Sequence, residues 1–137
     1  MTRLLVDAGP MVAYALANER DHAWVAEQFS SLTNPVFTCE AALVEASYLL
    51  GERGASREYL WAFLRSGLLQ IAFDLESEFE SVAALMGRYS DIPMDLADAC
   101  LVRMSELHRD CRVWTLDRDF RFYRRFGRQV IPLLAPF

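Results

Sequence analysis

Lysine is absent: all 14 basic residues of the 137 are arginine. Arginine suits bidentate phosphate contacts, but a GC-rich coding bias produces the same usage and carries more weight. Histidine is scarce, and neither His22 nor His108 has neighbours that would complete a catalytic triad; they read as a surface helix residue and a helix-end residue. The three cysteines, Cys39, Cys100 and Cys111, are odd in number, lack C-x-x-C spacing and sit among apolar residues. That pattern favours reduced core thiols over disulfides or a zinc site, and no H-E-x-x-H motif supports zinc either. The chain has no P-loop, no G-x-G-x-x-G and no nucleophile elbow, so NTPase, dinucleotide and serine-hydrolase readings lack support. It also has no Pro/Ser/Gly-rich stretch, no low-complexity segment, no internal repeat and no block of like charge. One domain over residues 1–137 is expected. No apolar run approaches the roughly 18 residues of a membrane span, so neither insertion nor export is indicated and a cytoplasmic location is expected.

What the chain does have is apolar content, 53% of residues, and an uneven charge distribution. The net charge is −5, yet Arg109 to Arg128 holds seven Arg against Asp110, Asp117 and Asp119, a local balance of +4. Short apolar runs alternate with longer stretches of helical period, the pattern of β-α units feeding a parallel sheet. Strands are predicted at Arg3–Val6, Val36–Cys39, Leu69–Phe73, Arg112–Leu116 and Gln129–Leu133. Leu75, Phe79, Val82, Ala83 and Met86 mark one helical face, with Glu76, Glu78 and Glu80 on a solvated one; Val25, Phe29 and Leu32 mark another helix. Asp21, Ser56 and Pro93-Met-Asp95 signal helix starts, and Gly54 and Gly67 stops. Tyr59, Leu60, Phe63 and Leu64 read as core, with Trp61 leaving room for an aromatic patch.

Four acids stand where charge is least welcome. Asp7 closes Arg3-Leu-Leu-Val-Asp7, Glu45 lies inside Ala41-Ala-Leu-Val-Glu-Ala-Ser-Tyr-Leu-Leu50, Asp98 inside Leu96-Ala-Asp-Ala-Cys-Leu-Val102, and Asp117 closes Val113-Trp-Thr-Leu-Asp117. An ionised carboxylate in apolar surroundings is costly unless paired or bound to a metal, so the four point to one shared cation site. Asp7 and Asp117 each follow a predicted strand, and parallel sheets bind ligands at the carboxyl ends of their strands. Glu45 and Asp98 fall near the first turns of helices that pack on that sheet, close to the same edge. Oxygen-only ligation suits Mg2+ or Mn2+, the natural partner of a phosphorylated substrate.

Each acid also has a plainer role open to it. Asp7 can make a strand-end turn contact, Glu45 can pair with an arginine, and Asp98 can bond to first-turn N–H groups. Asp95, following Pro93-Met94, reads as an N-cap with Asp98 in the capping-box position. Asp117 can cap a following turn, and Asp119 competes with it for the fourth place.

These four segments, in this order and spacing, resemble the PIN-domain nucleases, and among them the VapC-type toxins of toxin–antitoxin pairs. The resemblance implies an α/β/α three-layer fold around a central, mostly parallel five-stranded sheet. It implies that Asp7, Glu45, Asp98 and Asp117 surround one or two Mg2+ or Mn2+ ions and cleave RNA. A VapB-like antitoxin would cover the site, and a homodimer is expected. Many relatives carry Ser or Thr after the first Asp, where this chain has Ala8; Thr115 keeps a hydroxyl of the family's kind. Arg118, Arg121, Arg124, Arg125 and Arg128 are candidates for phosphate contact, and Trp114 or Tyr123 for stacking on a base. Two rivals remain: a catalytically silent RNA- or protein-binding module, and a metal-dependent phosphatase. The latter's D-x-D-x-T/V motif is absent, since Asp7 is followed by Ala8-Gly9.

Overall fold

A computed structural model describes residues 1–137. Five strands run parallel in the order β3-β2-β1-β4-β7: β1 is Arg3–Val6, β2 Val36–Thr38, β3 Leu69–Ile71, β4 Cys111–Trp114 and β7 Leu133–Leu134. The central pair is in register from Arg3 opposite Cys111 to Val6 opposite Trp114. Leu5, Val6, Val113 and Trp114 are wholly buried, as strands covered on both faces require.

Six helices flank the sheet: α1 (Ala8–Ala15), α2 (His22–Ser30), α3 (Glu40–Glu52), α4 (Glu58–Ser66), α5 (Leu75–Arg88) and α6 (Leu96–Leu107). Alternation along β4 separates the layers. Cys111 contacts the Ser105 carbonyl of α6 at 3.8 Å, and α6 lies against β1 and β4. Trp114 points the other way, onto Phe29 of α2, which stacks on Phe63 of α4 with Tyr14 of α1 close by. The result is the expected three-layer α/β/α arrangement. α6 is apolar on most of its circumference because it is sandwiched between the sheet, α3 and α5. Gly67 stops α4 as expected, in the left-handed conformation at φ 79°.

Several elements depart from the sequence reading. The expected strand Gln129–Leu133 divides: β6 (Gln129–Val130) turns back antiparallel on β5 (Arg124–Arg125), and only Leu133–Leu134 joins the main sheet. Pro132, which has no N–H to give a ladder, separates the two pieces. The third strand ends at Ile71 and the fourth at Trp114, so Asp117 lies three residues past its strand, at the cap of a 3-10 turn (Arg118–Arg121). On α5 the buried positions are Val82 and Leu85, while Leu75, Phe79 and Ala83 face solvent. Glu78 leaves the solvated row to bind Arg103 at 2.7 Å. No helix is long and apolar enough to cross a membrane.

Candidate active site

Asp7 follows β1 directly and caps α1. Its Oδ1 accepts from the Ala8 N–H at 2.7 Å and its Oδ2 from the Thr115 hydroxyl at 2.8 Å. The Thr115 oxygen in turn accepts the Asp117 N–H at 2.9 Å, and Asp117 Oδ1 accepts the Asp119 N–H at 2.9 Å. A single chain of hydrogen bonds therefore ties the end of β1 to the turn after β4. Gly9 lets the two approach: a Cβ there would sit 3.3 Å from Leu116 Cβ.

Asp95 and Asp98 form the predicted capping box at the start of α6. The Asp98 N–H donates to Asp95 Oδ1 at 2.9 Å, and the Asp95 N–H to Asp98 Oδ2 at 3.2 Å. The Tyr123 hydroxyl donates to the Pro93 carbonyl at 2.9 Å and lies 3.5 Å from Asp98 Oδ2. Glu45 sits in the second turn of α3, a turn later than expected, because α3 begins at Glu40.

Asp7, Glu45, Asp95, Asp98 and Asp117 line one cavity of about 220 Å3, walled also by Gly9, Leu49 and Leu116. Asp119 reaches it only through its backbone bond to Asp117. The ion pairs of the chain all lie elsewhere, at Asp21, Glu19, Glu78, Glu106 and Asp110. As the side chains stand, no three acidic, histidine or cysteine groups are drawn tightly enough to hold an ion.

The electrostatics follow from that crowding. Burial raises the Asp7 carboxyl to about 6, with Asp117 and Asp95 adding to the rise and the bonds from Thr115 and Ala8 opposing it. Burial raises Glu45 to about 7, with repulsion from Asp95, Asp7 and Asp117. Asp98 is raised by burial and then by Asp95 and Asp7, and Asp117 by burial and then by its acidic neighbours. Without a compensating cation Asp7 and Glu45 hold protons well above the usual carboxylate range. The donor set, carboxylate oxygens with no positive partner from the chain, fits a hard divalent cation.

Beside the acid cavity runs an apolar trough of about 510 Å3 between α3 and the start of α6. Val44, Tyr48 and Leu96 line it and are exposed at 67%, 62% and 42%. Glu45 and Asp95 belong to both hollows. The sequence reading missed the trough, although Val44 and Tyr48, four apart and off the buried Ala42-Ala46-Leu50 stripe, are its signature.

The basic candidates divide. Arg118 and Arg121 are exposed, their guanidinium groups 5.0 and 5.4 Å from the centre of the Phe137 ring. Arg128 is exposed as well. Arg124 is half-buried and donates to the Arg121 and Tyr123 carbonyls. Arg125 must be withdrawn as an RNA contact: it is buried and donates to the Ser105 and Arg109 carbonyls at 2.9 and 3.0 Å, closing the C-terminal end of α6. Trp114 and Tyr123 must be withdrawn as stacking platforms, since neither exposes any surface. His108 caps the end of α6 as expected, while His22 is tucked in, its Nδ1 2.7 Å from the Ala13 carbonyl oxygen.

Comparison with known proteins agrees with this geometry. The PIN domain family model matches residues 4–125. Ribonuclease VapC26 of Mycobacterium tuberculosis is 29% identical over 117 residues, covering 84% of this chain and 87% of that protein. The crystal structure of Mycobacterium tuberculosis VapC20, described as a sarcin–ricin loop cleaving toxin, superposes with a TM-score of 0.72 at 19% identity. That match covers 85% of this chain and 91% of that one. The sheet order, the acid-lined edge and these matches together establish that the chain belongs to the PIN domain family and is similar, within it, to the VapC proteins.

Proposed function

We propose that this chain is an endoribonuclease dependent on Mg2+ or Mn2+, and the toxin of a toxin–antitoxin pair. The observation that carries the reading is the cavity into which five carboxylates converge with no cation of the protein to balance them. Asp7, Glu45, Asp98 and Asp117 are the residues that would hold one or two ions, and Asp95 fixes Asp98 through the capping box. Bound there, the ions would supply a Lewis acid for the phosphodiester and a more acidic water.

The chain's own contribution is positional. Thr115 holds Asp7 and Asp117 in fixed relation, and Tyr123 stands against Asp98. Arg118 and Arg121, exposed beside Asp117, are the groups available to a phosphate backbone. Their contacts would weaken with salt. The trough along Val44, Tyr48 and Leu96 suits an apolar antitoxin segment, whose basic side chain would reach Glu45 and Asp95. A second copy of the chain is the alternative occupant, and sedimentation of the chain without antitoxin decides between them.

The test is incubation of the antitoxin-free chain with total RNA in EDTA, Mg2+ or Mn2+, with Asp7→Asn in parallel. Discrete fragments that need metal and vanish with Asp7→Asn are expected. Intact RNA in every lane, with RNA retained by the protein in EDTA, would replace this reading with a silent binding module.

A further inference from the structure

With Trp114 and Tyr123 turned inward, the aromatic surface near the acid cavity belongs to other rings. Asp117 lines that cavity and caps the 3-10 turn Arg118–Arg121, and Phe122 follows at the end of the turn. Phe120 turns inward and is wholly buried, whereas Phe122, two residues on, is 55% exposed. The Phe122 N–H donates to the Asp119 carbonyl at 2.9 Å, which fixes the backbone beneath the ring. β7 brings a second ring to the same place. It runs parallel to β4, and the Thr115 N–H donates to the Leu134 carbonyl at 3.2 Å, so residues 135–137 leave the sheet at the edge where Asp117 stands. The half-buried Phe137 ring has the Arg118 guanidinium 5.0 Å from its centre and that of Arg121 at 5.4 Å; Arg121 also lies 5.9 Å from the centre of Phe122. Neither arginine takes part in an ion pair. Two exposed cations are thus gathered around a ring rather than a carboxylate. Their charges repel each other, and an anion bound between them would relieve that repulsion.

We propose that Phe122, Arg118 and Arg121 bind one unpaired nucleotide of the RNA, the base lying on the Phe122 ring and the neighbouring phosphate meeting the two guanidinium groups, with Phe137 as the residue that positions those groups. This site rests on the ribonuclease reading for its ligand and adds a grip on the strand beside the bond that is cut. Every base has a π-face, so the platform takes any unpaired base and refuses one kept inside a duplex. Guanidinium groups match phosphate oxygens in a fork that an ammonium cannot reproduce. At about 2.0 Å per residue the turn from Asp117 to Phe122 spans roughly 10 Å, or about three stacked nucleotides at about 3.4 Å each. The nucleotide held on Phe122 therefore flanks the one at the acid cavity. Single-stranded character near the cleaved bond becomes a condition of good binding.

Binding is measured apart from cleavage, by fluorescence anisotropy in EDTA at low salt. The probes are labelled oligouridine, labelled oligoadenosine, the two annealed as a duplex, and inorganic polyphosphate as a competitor that carries charge but no base. Phe122→Ala should weaken both single strands by about tenfold, within the range of one stacked base, and leave the duplex and polyphosphate as they were. Phe122→Trp should restore the single strands. Phe137→Ala should weaken single strands and polyphosphate together, since it acts through the arginines, and Phe137→Tyr should restore both. Melting curves confirm that each variant is folded. Single strands held as tightly by Phe122→Ala as by the parent, a loss on Phe122→Ala that polyphosphate shares, or a parent that binds no RNA would each overturn the site. Cleavage is scored separately with Mg2+. RNA left uncut but bound through Phe122 removes the nuclease reading and keeps this site, whereas RNA cut by the parent and bound equally by Phe122→Ala removes this site alone.

Discussion

Thr115 does more than its place in the sequence suggests, because its one hydroxyl both donates to Asp7 and accepts from the Asp117 backbone. Thr115→Val leaves two buried polar groups without a partner and should cost about 1–3 kcal/mol in urea denaturation. It should also raise the Asp7 carboxyl further, since the lost bond is one of those holding it down, and so move the onset of metal-dependent cleavage to higher pH. Asp7→Asn should have the opposite effect on the fold: cleavage is lost, while the metal-free protein at pH 8 keeps or gains stability. Urea midpoints of the two variants, measured side by side, separate these outcomes. The acids were legible in the sequence because charge inside an apolar run is conspicuous whatever the fold. The roles of Arg125, Trp114 and Tyr123 were not, because a run such as Arg121-Phe-Tyr-Arg-Arg125 does not tell which side chains turn inward.

At the scale of elements, apolar runs located four of the five sheet strands, and the capping signals at Asp95 and Gly67 marked their helix ends. The exception is instructive. Gln129–Leu133 reads as one strand on hydropathy alone, yet Pro132 cannot donate to a ladder, and the segment serves two different sheets. The face of α5 was misread because Phe79 is apolar but 53% exposed, while Glu78 is held by Arg103 of α6. Arg125 closes α6 from the far end, so Arg125→Met should destabilise the protein by about 2–4 kcal/mol by leaving two carbonyls without their charged donor. The same change should not alter the salt dependence of RNA binding. Arg118→Ala with Arg121→Ala should do the reverse, flattening that dependence and leaving the thermal midpoint within a degree or two. Salt titrations of RNA affinity, with melting curves for each variant, test both halves.

For the molecule as a whole, the raised carboxyls set the pH profile of the metal-free state. A carboxyl that binds its proton more tightly folded than unfolded favours folding at low pH and loses that contribution as pH rises through its folded value. For Asp7 and Glu45 the loss spans about pH 4 to 7, from their ordinary values of 3.8 and 4.5 to about 6 and about 7. Asp7, fully enclosed, accounts for roughly 3 kcal/mol of it on the one-unit-per-1.36-kcal/mol scale. In EDTA the melting temperature should therefore fall between pH 5 and pH 8, and Mn2+ should restore it at pH 8 but not at pH 5. A flat profile in EDTA would contradict the crowding of the five acids. Because Glu45 and Asp95 form a common wall between the acid cavity and the apolar trough, the two hollows cannot be filled independently. Whatever lies in the trough feels the charge on that wall, so cation affinity and partner affinity become a single linked quantity. A factor gained or lost by one must be returned in equal measure by the other.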